Sequence, residues 1–270
     1  MTDPNHGIQF LSSTSILQAD LSNLSLISKK AAKANPKLII HRDWTLITRS
    51  GTIGRMVYSR PDMDGLACTE DVLRVIPDPA KILPGYLYAF LSSKFGVPQV
   101  VSGTYGAIIQ HIEPEHIANL PVPRLGEKIE RQVHDLVQQA AEKRSNGIKC
   151  LQRARTLVDE YCGFERPTPK LNITDIPSTV FQYRVDGGHY RIESLHAERT
   201  LSRLDTRLLG ESCEVTLPPI SSRVRGSEEG GYPYFTGPAL YSWNPDPKGY
   251  LAKRSPKVET MILHRECVLI

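Results

Sequence analysis

The sequence has no apolar run approaching the roughly 18 residues that a bilayer-spanning helix needs. Its opening, MTDPNHGIQF, lacks both the basic start and the apolar centre of a signal peptide. Cysteine is sparse: Cys68, Cys150, Cys162, Cys213 and Cys267 lie far apart and form no C-x-x-C pair. An odd, scattered set argues against a disulfide framework and against knuckle-type zinc spacing, so the expected compartment is the reducing cytoplasm. Motifs that carry chemistry are also missing. There is no G-x-x-x-x-G-K-S/T phosphate loop and no G-x-S-x-G nucleophile turn. An adenine methyltransferase needs an N/D-P-P-Y/F loop; NPDP at Asn244 breaks that pattern and follows no apolar strand. PDPAK at Pro77 has a superficial nuclease look, but a nuclease's carboxylates converge on a metal from separate strands. No catalytic residue, metal ligand or cofactor is assigned.

What is present is a globular composition. Hydrophobic residues make up 40% and charged residues 23% of 270, enough to bury a core in two ordinary domains, or in one with an appendage. Net charge is only +4, yet it is unevenly spread. Residues 1–60 hold eight Lys or Arg against three Asp or Glu, whereas residues 61–125 hold four against seven. The basic excess gathers in SKKAAKANPKLIIHRDWTLITRSGTIGR, and a phosphate backbone selects for such a stripe. A solvated surface segment has the same composition.

One stretch occurs twice. LISKKAAKANPKLIIHRDWTLI faces YLAKRSPKVETMILHRECVLI with a single-residue gap, and FLSSTSIL at Phe10 faces FTGPALYS at Phe235 after one more small gap. Lys29-Lys30 matches Lys253-Arg254, His41-Arg42 matches His264-Arg265, and Asp43 matches Glu266. About 36 residues with matched charge and apolar positions indicate one module used twice. Between the copies the texture changes. From Gly126 to Gly163 there is no proline, and Ile129, Val133, Leu136, Val137, Ala140, Ile148, Leu151, Leu157, Val158 and Tyr161 recur at steps of three and four. That period predicts a helix over 126–163, with a break or frayed turn expected at KRSNG, 143–147. Such a stripe needs a partner helix to bury it. ERPTPKLNITDIPS then reads as an extended linker. Within the module, KLIIHRDWTLITRSG suggests strand, turn and strand; DVLRVIPD and AIIQHI suggest strands; PGYLYAFLSSKFG suggests a helix stopped at Gly96. EPEHIANLPVP reads as a short helical turn with a proline exit. The expected fold class is α+β.

In this order the pieces resemble the DNA-specificity subunit of type I restriction–modification systems. The resemblance rests on LITRSGTIGR, ILPGYLYAFLSSKFG, GTYGAIIQHIEPEHIANLPVPRL and the long helix after them, and it covers nearly the whole chain. Each piece is weak alone; the ordered set is specific. Two departures stand out. Glu127 is followed by Lys128 where the family has Glu-Gln, and 44 residues (191–234) precede Phe235 where nine precede Phe10. The resemblance implies a first target-recognition domain at 1–125 lacking its front part, a spacer helix at 126–163, a linker at 164–190, and the front part of a second recognition domain at 191–270. Residues 191–270 supplying the missing front half, in cis or from a second chain, is one arrangement to expect. The resemblance further implies mixed α/β recognition domains joined by a spacer helix that pairs in a coiled coil. The implied target is double-stranded DNA. Methyltransferase subunits are the implied direct partners and restriction subunits the indirect ones, with no membrane and no catalysis by this chain.

Reading an interrupted DNA site takes two similar domains at a fixed spacing, and a rigid helix supplies 1.5 Å per residue against 3.4 Å per base pair. Lys and Arg set register on phosphates while polar side chains read base edges. The candidate DNA contacts are Lys29, Lys30, Arg49, Ser50, Thr52, Arg55, Thr104 and Tyr105, with Lys33 and Lys37 as steering charges. The candidate partner-helix stripe is Ile129, Val133, Leu136, Ala140, Leu151 and Val158. Each has a structural alternative. The S-G-T-I-G glycines can serve only a turn needing positive φ, Arg49 and Arg55 can form surface ion pairs, and His41 and His264 are expected as packed strand-end residues. Two other functions stay open: a small nuclease acting through Asp78, and an interaction module that binds partners through its helix without reading DNA.

Overall fold

The computed structural model describes residues 5–51, 53–105, 111–164, 192–217, 224–242 and 244–263. Thr52, the 107–110 part of AIIQHI, nearly all of the expected linker, Cys267 and the second HR tip (His264, Arg265, Glu266) lie outside them. In chain order the elements are β1 (Gly7–Leu11), β2 (Ser25–Ser28), α1 (Lys29–Ala34), β3 (Thr45–Thr48), β4 (Met56–Tyr58), β5 (Ala67–Cys68) and β6 (Val72–Val75). Then come α2 (Pro84–Leu91), α3 (Gly96–Ser102), β7 (Thr104–Tyr105), β8 (His111–Ile112), α4 (Pro114–Ala118) and α5 (Glu127–Cys162). The last are α6 (Ile192–Leu201), α7 (Leu209–Ser212), β9 (Arg225–Gly226), β10 (Gly231–Tyr234), α8 (Gly237–Leu240) and β11 (Gly249–Ala252). The fold is α+β. It divides into two compact units, one of 1–148 with 222–258, the other of 149–221 with 259–270. The first unit thus draws on both repeat copies. Among the described residues no helix is long and apolar enough to cross a membrane.

Three-stranded sheet β4-β3-β6 is the centre of the first unit. Its side chains alternate in direction, so Leu46, Val57 and Val72 enter one buried cluster while Ile47, Met56 and Tyr58 enter another. The first cluster takes Leu11, Ile16, Ile40, Met63 and Cys68 from around the sheet β2-β1-β5. The second takes Leu87, Tyr88 and Leu91 of α2, Val100 of α3, Ile112 and Ala141. Burial on both faces explains why TLIT carries no polar–apolar alternation.

Several expected elements differ. KLII forms a one-turn helix at Pro36–Leu38 and a lone bridge from Ile39 to Ala67, not a strand. Asp43 at the charged tip has φ +69, a left-handed conformation that an aspartate tolerates better than most residues. His41 is exposed rather than packed: it hydrogen-bonds Asp64 at 3.1 Å and meets Trp44 edge-on. Gly96 does not end a helix but begins α3, because a side chain there would collide with the Phe90 carbonyl oxygen.

Helix α5 runs unbroken through KRSNG for 36 residues. Gly163 caps it at φ +63: its N–H donates to the Glu160 carbonyl and that of Phe164 to the Asp159 carbonyl, a Schellman pair. At the other end the buried Glu130 carboxylate accepts from the Leu125 N–H at 2.9 Å and from Arg124 Nε and Nη2. The helix seats on the first unit by its polar side. The Gly85 N–H donates to His134 Nδ1 (3.0 Å), Gln138 Nε2 to Asp43 Oδ1 and to the Tyr58 hydroxyl, and the Ser145 hydroxyl to Asp62 Oδ1 (2.5 Å). Val137 and Ala141 fill the space between. These residues follow one another at helical spacing, so hydrogen bonds rather than a leucine seam hold α5 down.

Asp62 ties that docking to pH. Burial raises its pKa, but hydrogen bonds from Arg60 and Ser145, with the Arg60 charge, outweigh this and hold it below the ordinary 3.8. A folded-state pKa below the unfolded one contributes stability that is present above the ordinary value and lost as pH falls through the lowered one. Urea unfolding followed from neutral pH down to pH ~3 should show an acid loss of stability that Asp62→Asn makes shallower.

Candidate nucleic-acid interface

The β3–β4 hairpin carries the S-G-T-I-G turn. The Thr48 N–H donates to the Arg55 carbonyl and the Gly54 N–H to the Thr48 carbonyl, closing the hairpin. Gly51 and Gly54 both have positive φ, at +71 and +74. Their constraints differ. Space is open around Gly51, whereas a Cβ on Gly54 would lie 2.6 Å from the Val101 side chain, so the turn rests on α3. The chain then leaves α3 at Gly103, where a side chain would collide with the His116 ring of α4. His116 Nε2 sits 2.8 Å from the Gln99 carbonyl, and this contact fixes the start of β7.

The β3–β4 hairpin and strand β7, far apart in sequence, are thereby brought side by side, and Glu113 joins them. Arg49 Nη2 donates to Glu113 Oε1 at 2.6 Å, Arg49 Nε donates to the Ile112 carbonyl at 3.0 Å, and the Tyr105 hydroxyl donates to the same Glu113 oxygen. The hydrogen bonds from Tyr105 and Arg49 hold the Glu113 carboxyl below its usual range, and the Glu113 contact in turn raises both partners. Arg49 is half-buried, Tyr105 exposed. Arg55, on the outer side of the turn, is exposed and ion-paired with Asp246 of the second repeat copy.

Of the predicted contacts, Arg49, Ser50, Arg55, Thr104 and Tyr105 therefore share one region, with Thr52 outside the described residues. Lys29 and Lys30 are exposed on α1, where Lys29 Nζ donates to the Asn5 carbonyl at 3.0 Å. No contact among the described residues links them to the S-G-T-I-G turn or to β7. Glu113 and Asp246 were not singled out from the sequence. The only signal for Glu113 is its place just before Pro114, at the exit of β8.

On α5, Ile129, Leu136, Leu151 and Val158 are 48%, 66%, 56% and 61% exposed, Ala140 is exposed and Val133 half-buried. They lie along one line of the helix, beside the docked polar side. Asp78 spends its carboxylate on the Ala80 N–H and the Lys81 ammonium in an exposed turn. No group of three or more His, Cys, Asp or Glu suited to a metal occurs among the described residues.

No protein-family model matches the chain, and no curated protein matches it. Among solved structures it is similar to the S subunit of a type I restriction–modification system from M. genitalium, at 15% identity and a TM-score of 0.39, over 94% of this chain and 58% of that one. It is also similar to the HsdS subunit from Thermoanaerobacter tengcongensis, at 17% identity and a TM-score of 0.35, over 64% of this chain and 45% of that one. The chain spans about half the length of these two structures.

Proposed function

We propose that this chain recognises double-stranded DNA in a sequence-specific manner, as the specificity subunit of a type I restriction–modification complex whose methylation and cleavage subunits are separate proteins. The observation that carries the reading is the meeting of the S-G-T-I-G hairpin and strand β7 through Arg49, Glu113 and Tyr105. Polar and cationic groups from the β3–β4 hairpin turn and strand β7 lie together on a rigid base, which is what base-edge reading requires. Lys29, Lys30, Arg49 and Arg55 supply phosphate contacts in this reading. Ser50, Thr52, Thr104 and Tyr105 supply hydrogen bonds. The exposed stripe on α5 seats a partner helix, the route by which methyltransferase subunits join. The chain works without a cofactor and performs no chemistry.

The test is duplex binding across a salt series. Arg55→Ala should lower affinity and reduce the salt slope by about one phosphate contact. Tyr105→Phe should leave the slope alone and weaken discrimination among sequences. Unchanged binding in both variants removes the S-G-T-I-G turn and β7 from the DNA surface.

A second reading has its own support, since Arg49 and Arg55 are each already paired with a carboxylate while Ile129, Leu136, Leu151 and Val158 of the α5 stripe are exposed. A chain that binds partners through α5 and no DNA fits those facts. Retained partner binding without any affinity for duplexes would select it.

A further inference from the structure

The two repeat copies share one hairpin. Hairpin β1–β2 places Gly7 opposite Ser28, and β10–β11 places Gly231 opposite Ala252, an offset of 224 residues in both strands. The connecting loops share a backbone hydrogen bond: the Ile16 N–H donates to the Ser12 carbonyl, and the Leu240 N–H to the Thr236 carbonyl. Phe10 thus corresponds to Tyr234, and the gap expected near Phe235 does not exist.

The copies also touch each other at corresponding positions. Gln18 and Ser242, again 224 residues apart, form an antiparallel bridge, and the Ala19 N–H donates to the Tyr241 carbonyl at 2.9 Å. An antiparallel bridge between equivalent residues has a local two-fold axis through it. This is the self-complementary geometry of a symmetric dimer, realised inside one chain. Four residues beyond the bridge, Asp246 reaches Arg55 of the S-G-T-I-G turn. The residue corresponding to Asp246 in the first copy is Ser22, so the acid belongs to the second copy alone.

We infer that residues 244–248 of the second copy are an internal competitor of DNA: with the neighbouring Gln18–Ser242 bridge as anchor, they hold the Asp246 carboxylate on Arg55 where a backbone phosphate binds. This rests on the DNA-recognition reading and adds regulation to that same surface. Carboxylate and phosphate oxygens are alternative partners for one guanidinium fork. Both side chains are about half exposed, at 50% and 53%, so the pair is weak and a duplex offering many phosphates displaces it. The latch therefore sets a threshold for binding and does not abolish it.

A double-mutant cycle on the full chain tests this, reading anisotropy of a labelled duplex at roughly 50 mM and 200 mM salt. The expected result is that Asp246→Asn tightens binding about threefold at low salt and less at high salt. In an Arg55→Gln background the same change should have no effect. Equal tightening in both backgrounds would mean that net charge alone is responsible, and the latch is overturned. Duplex binding that Asp246→Asn leaves unaltered also overturns it, while DNA recognition stands. If neither the parent chain nor Asp246→Asn binds any duplex, the DNA reading falls and the latch with it.

Discussion

Leu136→Asp abolishes association through α5 while leaving the chain folded. Leu136 is 66% exposed, and no described contact holds it against the first unit. Exposed substitutions of this kind change stability by no more than about 0.5 kcal/mol. In a helix–helix seam the same position is buried. Losing a packed leucine there costs about 2 kcal/mol, and an unpaired carboxylate adds more, so the dissociation constant should rise at least ~100-fold. Val158→Asp, 22 residues further along the same stripe, should do the same. Co-purification with candidate methyltransferase subunits and sedimentation of the chain alone read the effect, with urea unfolding as the control for fold. Association that survives both substitutions removes the stripe as an interface.

Gly85→Val should have the largest effect on stability. A Cβ at this position would lie 2.8 Å from the His134 carbonyl oxygen and 2.9 Å from its Cα. Those are backbone atoms of α5, so no rotamer change relieves the clash; the helix must move away from α2. Moving it lengthens the Gly85 N–H to His134 hydrogen bond and strains the neighbouring Gln138 and Ser145 contacts. Overpacking together with a lost buried hydrogen bond costs about 3–4 kcal/mol, a large share of a typical domain's stability. The thermal midpoint should fall by roughly 10 °C or more for a domain of this size. A midpoint unchanged within a degree would mean that α5 is not seated on α2 as described.

Much of the architecture was legible in residues whose period or stereochemistry leaves little choice. The three- and four-residue spacing from Ile129 to Tyr161, ended by Gly163, gave α5 to within one residue at each end. Pro84 at a first turn marked α2, and EPEHIANLPVP, read as a short helical turn before a proline exit, holds α4. KRSNG was misread because a glycine in a helix costs only about 1 kcal/mol, and Ser145, two residues before Gly147, repays it through Asp62. KLII was misread as a strand because a short apolar run does not say whether it pairs or merely packs; Ile40 packs, with no exposed surface.

The partners of the candidate DNA contacts were illegible for a different reason. Glu113 lies 64 residues from Arg49, and Asp246 lies 191 from Arg55. Nothing local in either acid's neighbourhood announces the pairing, since only the fold of the sheet and the contact between copies creates it. The docking face of α5 was hidden too. Helix patterns are read by their apolar residues, and here the polar side carries the contacts to the sheet.

Sequencing the duplexes that the full chain selects from a randomised pool, at near-physiological salt, tests the central claim most directly. Specific recognition yields ratios of 10³ or more over non-specific binding, so a few rounds should enrich one shared sequence. The Tyr105→Phe chain should enrich it less. A pool that stays random after selection, with partner association through α5 intact, would contradict sequence recognition and leave the interaction module as the chain's function.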